Sequence, residues 1–416
     1  MTDIKKLIIQ QSSLLKEEVR QLRRHFHKYP ELSYKEHETA SYISGYLHQH
    51  GINFRQRIAG TGIIGRIDGN LSGKVVIGVR AEMDALPVTE ETGLDFASLN
   101  RGIMHACGHD AHMAMLLATG RLLNNIRDHF GGTVLLIFQP GEEKSPGGAR
   151  LMLESGELDN PQPSIFIAQH ILPELETGRV GYKPGPYMAS CDEIYITVAG
   201  KGGHAALPHL TTDQIFVASK LVVRLKEAIR YNSNAGSASA LLGIGRITGE
   251  GATNVIPAKV EIAGTLRTFD EIIREENKHL IKRIAAETAD EYMVNIGVRI
   301  EEGYPALVND RDLTEKAVRL SGDLLGRDRV EIYKELRMSS DDFSFYSQAA
   351  PSLYFRTGIR KRDAKPGMLH SSVFDIDEEG LVTGMANISW LVISFLSDES
   401  EQEFNNPNND KDLFSI

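Results

Sequence analysis

Cysteine is scarce in this sequence: only Cys107 and Cys191 occur in 416 residues. Two thiols are too few for a disulfide framework and suit a reducing compartment, so a cytoplasmic chain is expected, with any special cysteine acting as ligand or nucleophile. Long apolar runs are missing too. No stretch approaches a membrane-spanning length, and the opening MTDIKKLIIQQSSLLKEE has neither a continuous apolar core nor a small-residue cleavage site. Neither a membrane partner nor export is expected. Basic residues are in deficit, 46 Lys and Arg against 56 Asp and Glu, for a formal net charge of -10. Nucleic-acid binders need clustered cations to release counterions, so a small-molecule partner is the better expectation. No internal repeat or dominant low-complexity tract occurs, and a composition 41% hydrophobic and 25% charged is that of an ordinary globular chain.

A chain of this length exceeds the usual single-core domain, so two domains are expected. Residues 12 to 29 place Leu15, Val19, Leu22 and Phe26 at alternating four- and three-residue steps, which predicts an amphipathic helix capped by Ser12 or Ser13 and stopped by Pro30. KVVIGV (74–79), TVLLIF (133–138) and SIFIAQ (164–169) read as buried strands, with helices at 112–123 and 148–155 between and after them. Strand and helix in alternation imply a mostly parallel, helix-covered sheet. From about 185 the style changes. EIYITVAG, ALLGIGRI and KVEIAGTLRTF read as strands, the last with Val260, Ile262 and Leu266 on a dry face. Residues 213–229 read as a helix burying Ile215, Ala218, Val222, Leu225 and Ile229. Beyond 310 the first style resumes, with helices near 312–325 and 378–396 and a strand at 352–356. The expected organisation is an α/β domain over 1–184 and 306–398, an α+β insert over 185–305, and an acidic tail over 399–416.

Chemistry concentrates at a few turns. Met104-His105-Ala106-Cys107-Gly108-His109-Asp110 spaces a thiol and an imidazole two apart, so both can aim at one ion, although a buried thiol beside a capping histidine fits as well. Gln139-Pro140-Gly141-Glu142-Glu143-Lys144 follows the TVLLIF strand, at the sheet edge where open α/β folds keep their ligands. There one carboxylate can bind metal while its neighbour takes a proton from water, or both can simply be solvated. His170 ends SIFIAQH, and His370 precedes a helix that Asp377 can cap. Alone, each reads as a structural histidine. With Cys107, His109 and Glu143 they complete a set able to hold two ions about 3.5 to 4 Å apart. Asp84, after KVVIGV, is either a carboxylate that holds an imidazole or a turn residue before Pro87. In the insert, His204 sits on a glycine-lined turn, and Asn254 and Arg267 add an amide and a guanidinium suited to an oxyanion or a carboxylate.

These phrases, in this order from Arg23-Arg24 and Pro30-Glu31-Leu32-Ser33 to Phe374-Asp375-Ile376-Asp377-Glu378, resemble the N-acyl-amino-acid amidohydrolases. That branch of the co-catalytic dimetal metallopeptidases holds hippurate hydrolase and the plant indole-acetyl-amino-acid hydrolases. The resemblance covers nearly the whole chain and implies a metallopeptidase catalytic domain with an inserted lid and dimerisation domain. It implies that Cys107 bridges two divalent ions and that His109, Glu143, His170 and His370 complete their shells. Glu142 matches the general base acting on the water that the ions bind. His204 reaches the partner subunit's active site, and Asn254 and Arg267 hold the substrate's oxyanion or carboxylate. Glu82 and Asp341 depart from the family pattern, which has aspartate and glutamate there.

The expected reaction is hydrolysis of an N-acyl amino acid to a carboxylic acid and a free amino acid, by a homodimer or tetramer. Its ions are zinc, manganese, nickel or cobalt. Three rivals differ in what they predict. A dipeptidase or aminopeptidase of the same fold requires a free substrate α-amine. A Cys107 nucleophile survives metal removal but leaves Glu142, Glu143 and His370 unexplained. A metal-stabilised binding protein shows affinity without product.

Overall fold

Apolar runs that bury both faces build the middle of an eight-stranded sheet in the computed structural model, which describes residues 2–232 and 240–397. The chain divides into two units. The first holds residues up to Gly185, 309–334 and 346 onward; the second holds Pro186–Val308 and Glu335–Phe345. The acidic tail expected over 399–416 lies outside the described residues.

In the first unit the sheet runs in the order Asn53–Ile58, Gly62–Asp68, Gly131–Gln139, Leu71–Glu82, Ile165–Glu176, Ser352–Arg360, Val180–Tyr182, Val330–Ile332. From Gly131–Gln139 to Ser352–Arg360 the neighbours are parallel, and antiparallel pairs lie to either side. The parallel strands carry the runs read from the sequence, because a strand covered by helices on both faces must be apolar on both. Helices His109–Asn125 and Glu379–Leu396 supply much of that cover and are buried along nearly their whole length. By length and composition Glu379–Leu396 could cross a membrane, but 83% of it is buried inside the protein, as a core helix. This is the α/β architecture expected.

At the start of the chain the sequence reading needs correction. Ser12 and Ser13 cap nothing; they lie inside a helix Thr2–Leu14, and a second helix, Lys16–Lys28, follows Leu15. Ile8 is fully buried and Ile4 and Leu7 pack against the same core, so residues 2–14 have an apolar stripe of their own. The predicted stripe from Leu15 to Phe26 is buried as expected.

The second unit is a four-stranded antiparallel sheet in the order Ala240–Thr248, Lys259–Thr268, Asp192–Ala199, Asn295–Glu302. Helices Gln214–Asn232 and Glu271–Tyr292 share a core with it, formed by Ile194, Ile196, Val198, Val260, Ile262 and Leu266 on the strands. Asp270 caps the second helix by accepting from Ile273 N at 2.9 Å. On the first helix the buried stripe is Val217, Ala218, Leu221, Leu225 and Ile229; Ile215, expected inside, is 42% exposed. Segment Glu335–Phe345, which the sequence reading runs into the α/β domain, joins this unit because Ala189 N donates to the carbonyls of Arg337 and Ser339.

Candidate metal centre

Two of the chemistry-bearing turns lie in the first unit just beyond the carboxyl ends of its parallel strands, the edge where such sheets bind ligands, and His170 lies within a third of these strands. Asp84 follows Leu71–Glu82, Glu142 and Glu143 follow Gly131–Gln139, and His170 lies two residues past the last pair between Leu71–Glu82 and Ile165–Glu176. Cys107 and His109 flank Gly108, which starts helix His109–Asn125 in the left-handed region at φ 84°. A Cβ on Gly108 would lie 2.4 Å from Ile171 Cδ1, so glycine is required for both conformation and space.

The side chains converge as two donor triads that share one thiol. The donor atoms of Cys107, His109 and His170 lie within 4.8 Å of one another, and so do those of Cys107, Glu143 and His370. Cys107 Sγ is 3.5 Å from His170 Nε2, and His370 Nε2 is 3.4 Å from Glu143 Oε1. Glu142 belongs to a third group with His109 and Glu143 over the same span. All but His370 are buried or nearly so, and His370 holds a left-handed backbone at φ 63° while its N–H donates to Ala106 O at 2.9 Å.

Hydrogen bonds set the histidine tautomers. His109 Nδ1–H donates to the Asp84 carbonyl at 2.8 Å and His170 Nδ1–H to the Ile171 carbonyl at 2.7 Å, which leaves both Nε2 lone pairs for the centre. His109 Nε2 is buried without a hydrogen-bond partner. The side chain of Asp84 accepts from Glu142 N at 3.0 Å and from Glu143 N and Ser33 Oγ at 2.9 and 2.7 Å, so it grips the loop that carries both glutamates.

Electrostatics favour a cation here. Burial raises the Cys107 thiol, with help from Glu143, up to about 12, so its thiolate needs a positive partner. At His109 burial opposes the charged form, but Glu82 and Asp84 overcome it and push the imidazole well above its ordinary value, so Nε2 is drawn to a positive partner, whether a proton or a metal ion that displaces it. Burial likewise opposes ionisation of Glu82, yet Arg80, His112 and His109 keep its carboxyl well below the usual range. Thiol, imidazole and carboxylate donors around an orphaned buried Nε2 fit divalent ions of the borderline type.

Sequence reasoning missed the residues that brace these donors. His112 Nδ1–H donates to Glu82 Oε2 at 2.9 Å, and His112 Nε2 accepts from Ile171 N at 3.0 Å, so His112 is saturated and is no ligand. Arg23, fully buried, pairs with Asp110 at 2.9 Å and with Asp375 at 3.0 Å; His27 bonds Asp110 at 2.7 Å and Glu90 at 3.1 Å. The available signal was polar residues on an apolar stripe, since Arg23 and His27 share the helix face of Val19, Leu22 and Phe26. His204, Asn254 and Arg267 lie in the second unit. The ribbon Gly203–His204 and Val255–Ile256 pairs His204 with Val255, and Ala205 N donates to Asn254 O at 3.0 Å, so His204 and Asn254 share one exposed turn. His204 Nδ1 accepts from Ala206 N at 3.1 Å, leaving Nε2–H as a donor. Half-buried Arg267 donates to Ser340 Oγ at 3.1 Å.

A mostly parallel sheet with such a donor cluster beside it offers a place for divalent metal ions. Residues 78–392 match the model of Peptidase family M20/M25/M40, and the chain belongs to that family. It is 36% identical over 371 residues to an N-acetyl-L-cysteine deacetylase of Bacillus subtilis, covering 89% of this chain and 86% of that one. With an N-acyl-L-amino acid amidohydrolase of Geobacillus stearothermophilus it shares 37% over 308 residues, 74% of this chain and 81% of the other. Among solved structures, a Bacillus subtilis dinuclear metal binding peptidase of the M20 family superposes with a TM-score of 0.80 at 31% identity, over 92% of this chain and 99% of that one. The chain is therefore a metal-dependent hydrolase of linear amide bonds, as the resemblance implied.

Proposed function

We propose that the protein hydrolyses N-acyl amino acids to a carboxylic acid and a free amino acid, with Glu142 as general base. The observation that carries the reading is the pair of donor triads hinged on Cys107 with Glu142 beside them. The relatives named as deacetylase and amidohydrolase support the substrate class. Cys107, His109, Glu143, His170 and His370 would hold two divalent ions, drawn from zinc, manganese, nickel or cobalt. When bound, these supply Lewis acidity at the amide carbonyl and lower the pKa of water. Glu142 takes the proton of the attacking water and returns one to the leaving nitrogen as the C–N bond breaks. Asp84 keeps Glu142 in place through its backbone N–H. His204 Nε2–H would donate to the developing oxyanion, and Asn254 and Arg267 would hold the substrate's oxyanion or carboxylate. The working form would be a homodimer or tetramer, as the resemblance implies for a lid that also dimerises, in the cytoplasm that the scarcity of cysteine suits.

Metal-free protein, restored separately with each of the four ions, should release amine from N-acetyl, N-benzoyl or indole-acetyl amino acids only when loaded. Glu142→Ala should cost at least about 100-fold in kcat with bound metal unchanged. Full turnover in protein shown to be metal-free would sink the reading and revive Cys107 as nucleophile. The peptidase alternative, which the name of the superposed M20 structure supports, predicts instead that only substrates with a free α-amine are cut.

A further inference from the structure

We propose that Tyr34 and Glu36, on the segment before helix His37–Gln49, are positioning residues for the loop that carries Glu142; the inference rests on Glu142 being the general base. Three successive backbone N–H groups of that loop end on buried carboxylates. Those of Glu142 and Glu143 go to Asp84, and that of Gly141 goes to Glu36 Oε1 at 2.9 Å. The same Oε1 accepts from Tyr34 N at 2.8 Å, and Oε2 accepts from Thr61 Oγ at 2.7 Å. Glu36 has no exposed surface, and no cation among the described residues pairs with it. Burial pushes its pKa up, and hydrogen bonds from Gly141 N, Tyr34 N and Thr61 Oγ support it in place of a counter-charge, so an apolar residue here would leave those donors unpaired.

Tyr34 holds the other end of the loop. Its hydroxyl donates to Lys144 O at 2.8 Å and accepts from Gly147 N at 3.2 Å. Its ring fills the space a Cβ on Gly141 would need, 2.4 Å away, where Gly141 turns left-handed at φ 54°. Tyr34 is itself left-handed at φ 64°, a strained conformation for a tyrosine. A strained residue and a buried carboxyl group without a counter-charge, two positions apart, thus both hold the loop of residues 141–147. Between those anchors sit Glu142 and Glu143. Neither Tyr34 nor Glu36 belongs to a donor triad, so their effect on turnover runs through where Glu142 stands.

Glu36→Met keeps the bulk and removes the acceptors, Glu36→Gln keeps a carbonyl oxygen for Gly141 N and an amide that donates to Thr61 Oγ, and Tyr34→Phe removes one hydroxyl. These are compared with the parent and Glu142→Ala as metal-loaded enzymes, using whichever N-acyl amino acid of the three classes is cleaved fastest. Glu36→Met should lower kcat about 10- to 100-fold with KM within about threefold, because a base displaced by a fraction of an ångström loses its alignment. Bound metal should be unchanged, and amide hydrogen exchange at 141–143 should accelerate even in metal-free protein. Glu36→Gln should stay within about threefold of the parent and Tyr34→Phe should fall about 3- to 10-fold in kcat. Parental kcat in both Glu36→Met and Tyr34→Phe, with Glu142→Ala inactive, overturns the positioning role and leaves the base assignment standing. Activity in Glu142→Ala brings down that assignment and this inference with it. A loss in Glu36→Met fully restored by added metal would mark a purely structural role and also overturn the inference. If Glu36→Met does not fold, Tyr34→Phe decides alone.

Discussion

Cys107 is the one side chain common to both donor triads, whereas His370 serves only one. Removing the shared donor should therefore disturb two ions and removing the peripheral one should disturb a single ion. Cys107→Ala is expected to retain no tightly bound metal after dialysis. His370→Ala should keep about one equivalent per chain, the divided occupancy that a two-metal site permits. Elemental analysis of dialysed protein reads both, and equal losses in the two variants would contradict a bridging thiolate. The same residues show what a sequence conveys at this scale. Cys107, His109, Glu143 and His370 stand out because reactive types crowd turns, but nothing in their spacing says that one thiol faces two separate groups of donors. That follows from the order in which the strands are laid down.

Three elements that are distant in the chain meet through one imidazole. Strand Leu71–Glu82 supplies Glu82, helix His109–Asn125 supplies His112, and strand Ile165–Glu176 supplies the Ile171 N–H that His112 accepts. The carbonyl of the same Ile171 holds His170 Nδ1. The chain from Glu82 through His112 thus fixes the backbone that orients His170. His112→Phe keeps the ring but leaves Ile171 N–H without an acceptor, at a cost of about 1 to 3 kcal/mol in the interior. Metal affinity should weaken about 10- to 100-fold, the usual effect of losing a residue that orients a ligand. Competition titration with a chromophoric chelator measures it. Loss of a whole equivalent would instead make His112 a ligand. The Glu82 departure from the family's aspartate also belongs here, since its carboxylate reaches His112 while Arg80 pairs with its other oxygen.

For the molecule as a whole, the charge network beneath the centre links pH to stability. His27 is fully buried between Asp110 and Glu90; burial opposes its charge, but the two carboxylates raise its pKa to about 9. An unfolded histidine titrates near 6.5, so the charged folded form is favoured. The stabilisation is complete below about pH 6.5 and disappears as pH rises through about 9, an effect on the order of 3 kcal/mol. Denaturation midpoints measured from pH 6 to 10 should fall across that window, and His27→Gln should flatten the slope. An unchanged slope would show that another group carries the titration.

Composition and pattern pointed to an α/β chain with a second style of structure between its parts and to the side chains proposed as donors, whose roles came only with the family resemblance. Alternation of buried strands with helices is a periodic signal, and ligand chemistry is a matter of residue type. The same local reading erred where packing chose between equals. It placed caps at Ser12 and Ser13 inside a helix, buried Ile215 where Val217 and Leu221 are buried, and passed over Glu36, His112 and Arg23. Only the tertiary structure decided which histidine nitrogens stay free, which carboxylates hold the loop of Glu142 and Glu143, and which charges share the buried network. Each depends on a partner tens to hundreds of residues away, brought near by strand order, and on burial, which turns a weak surface pairing into a strong one.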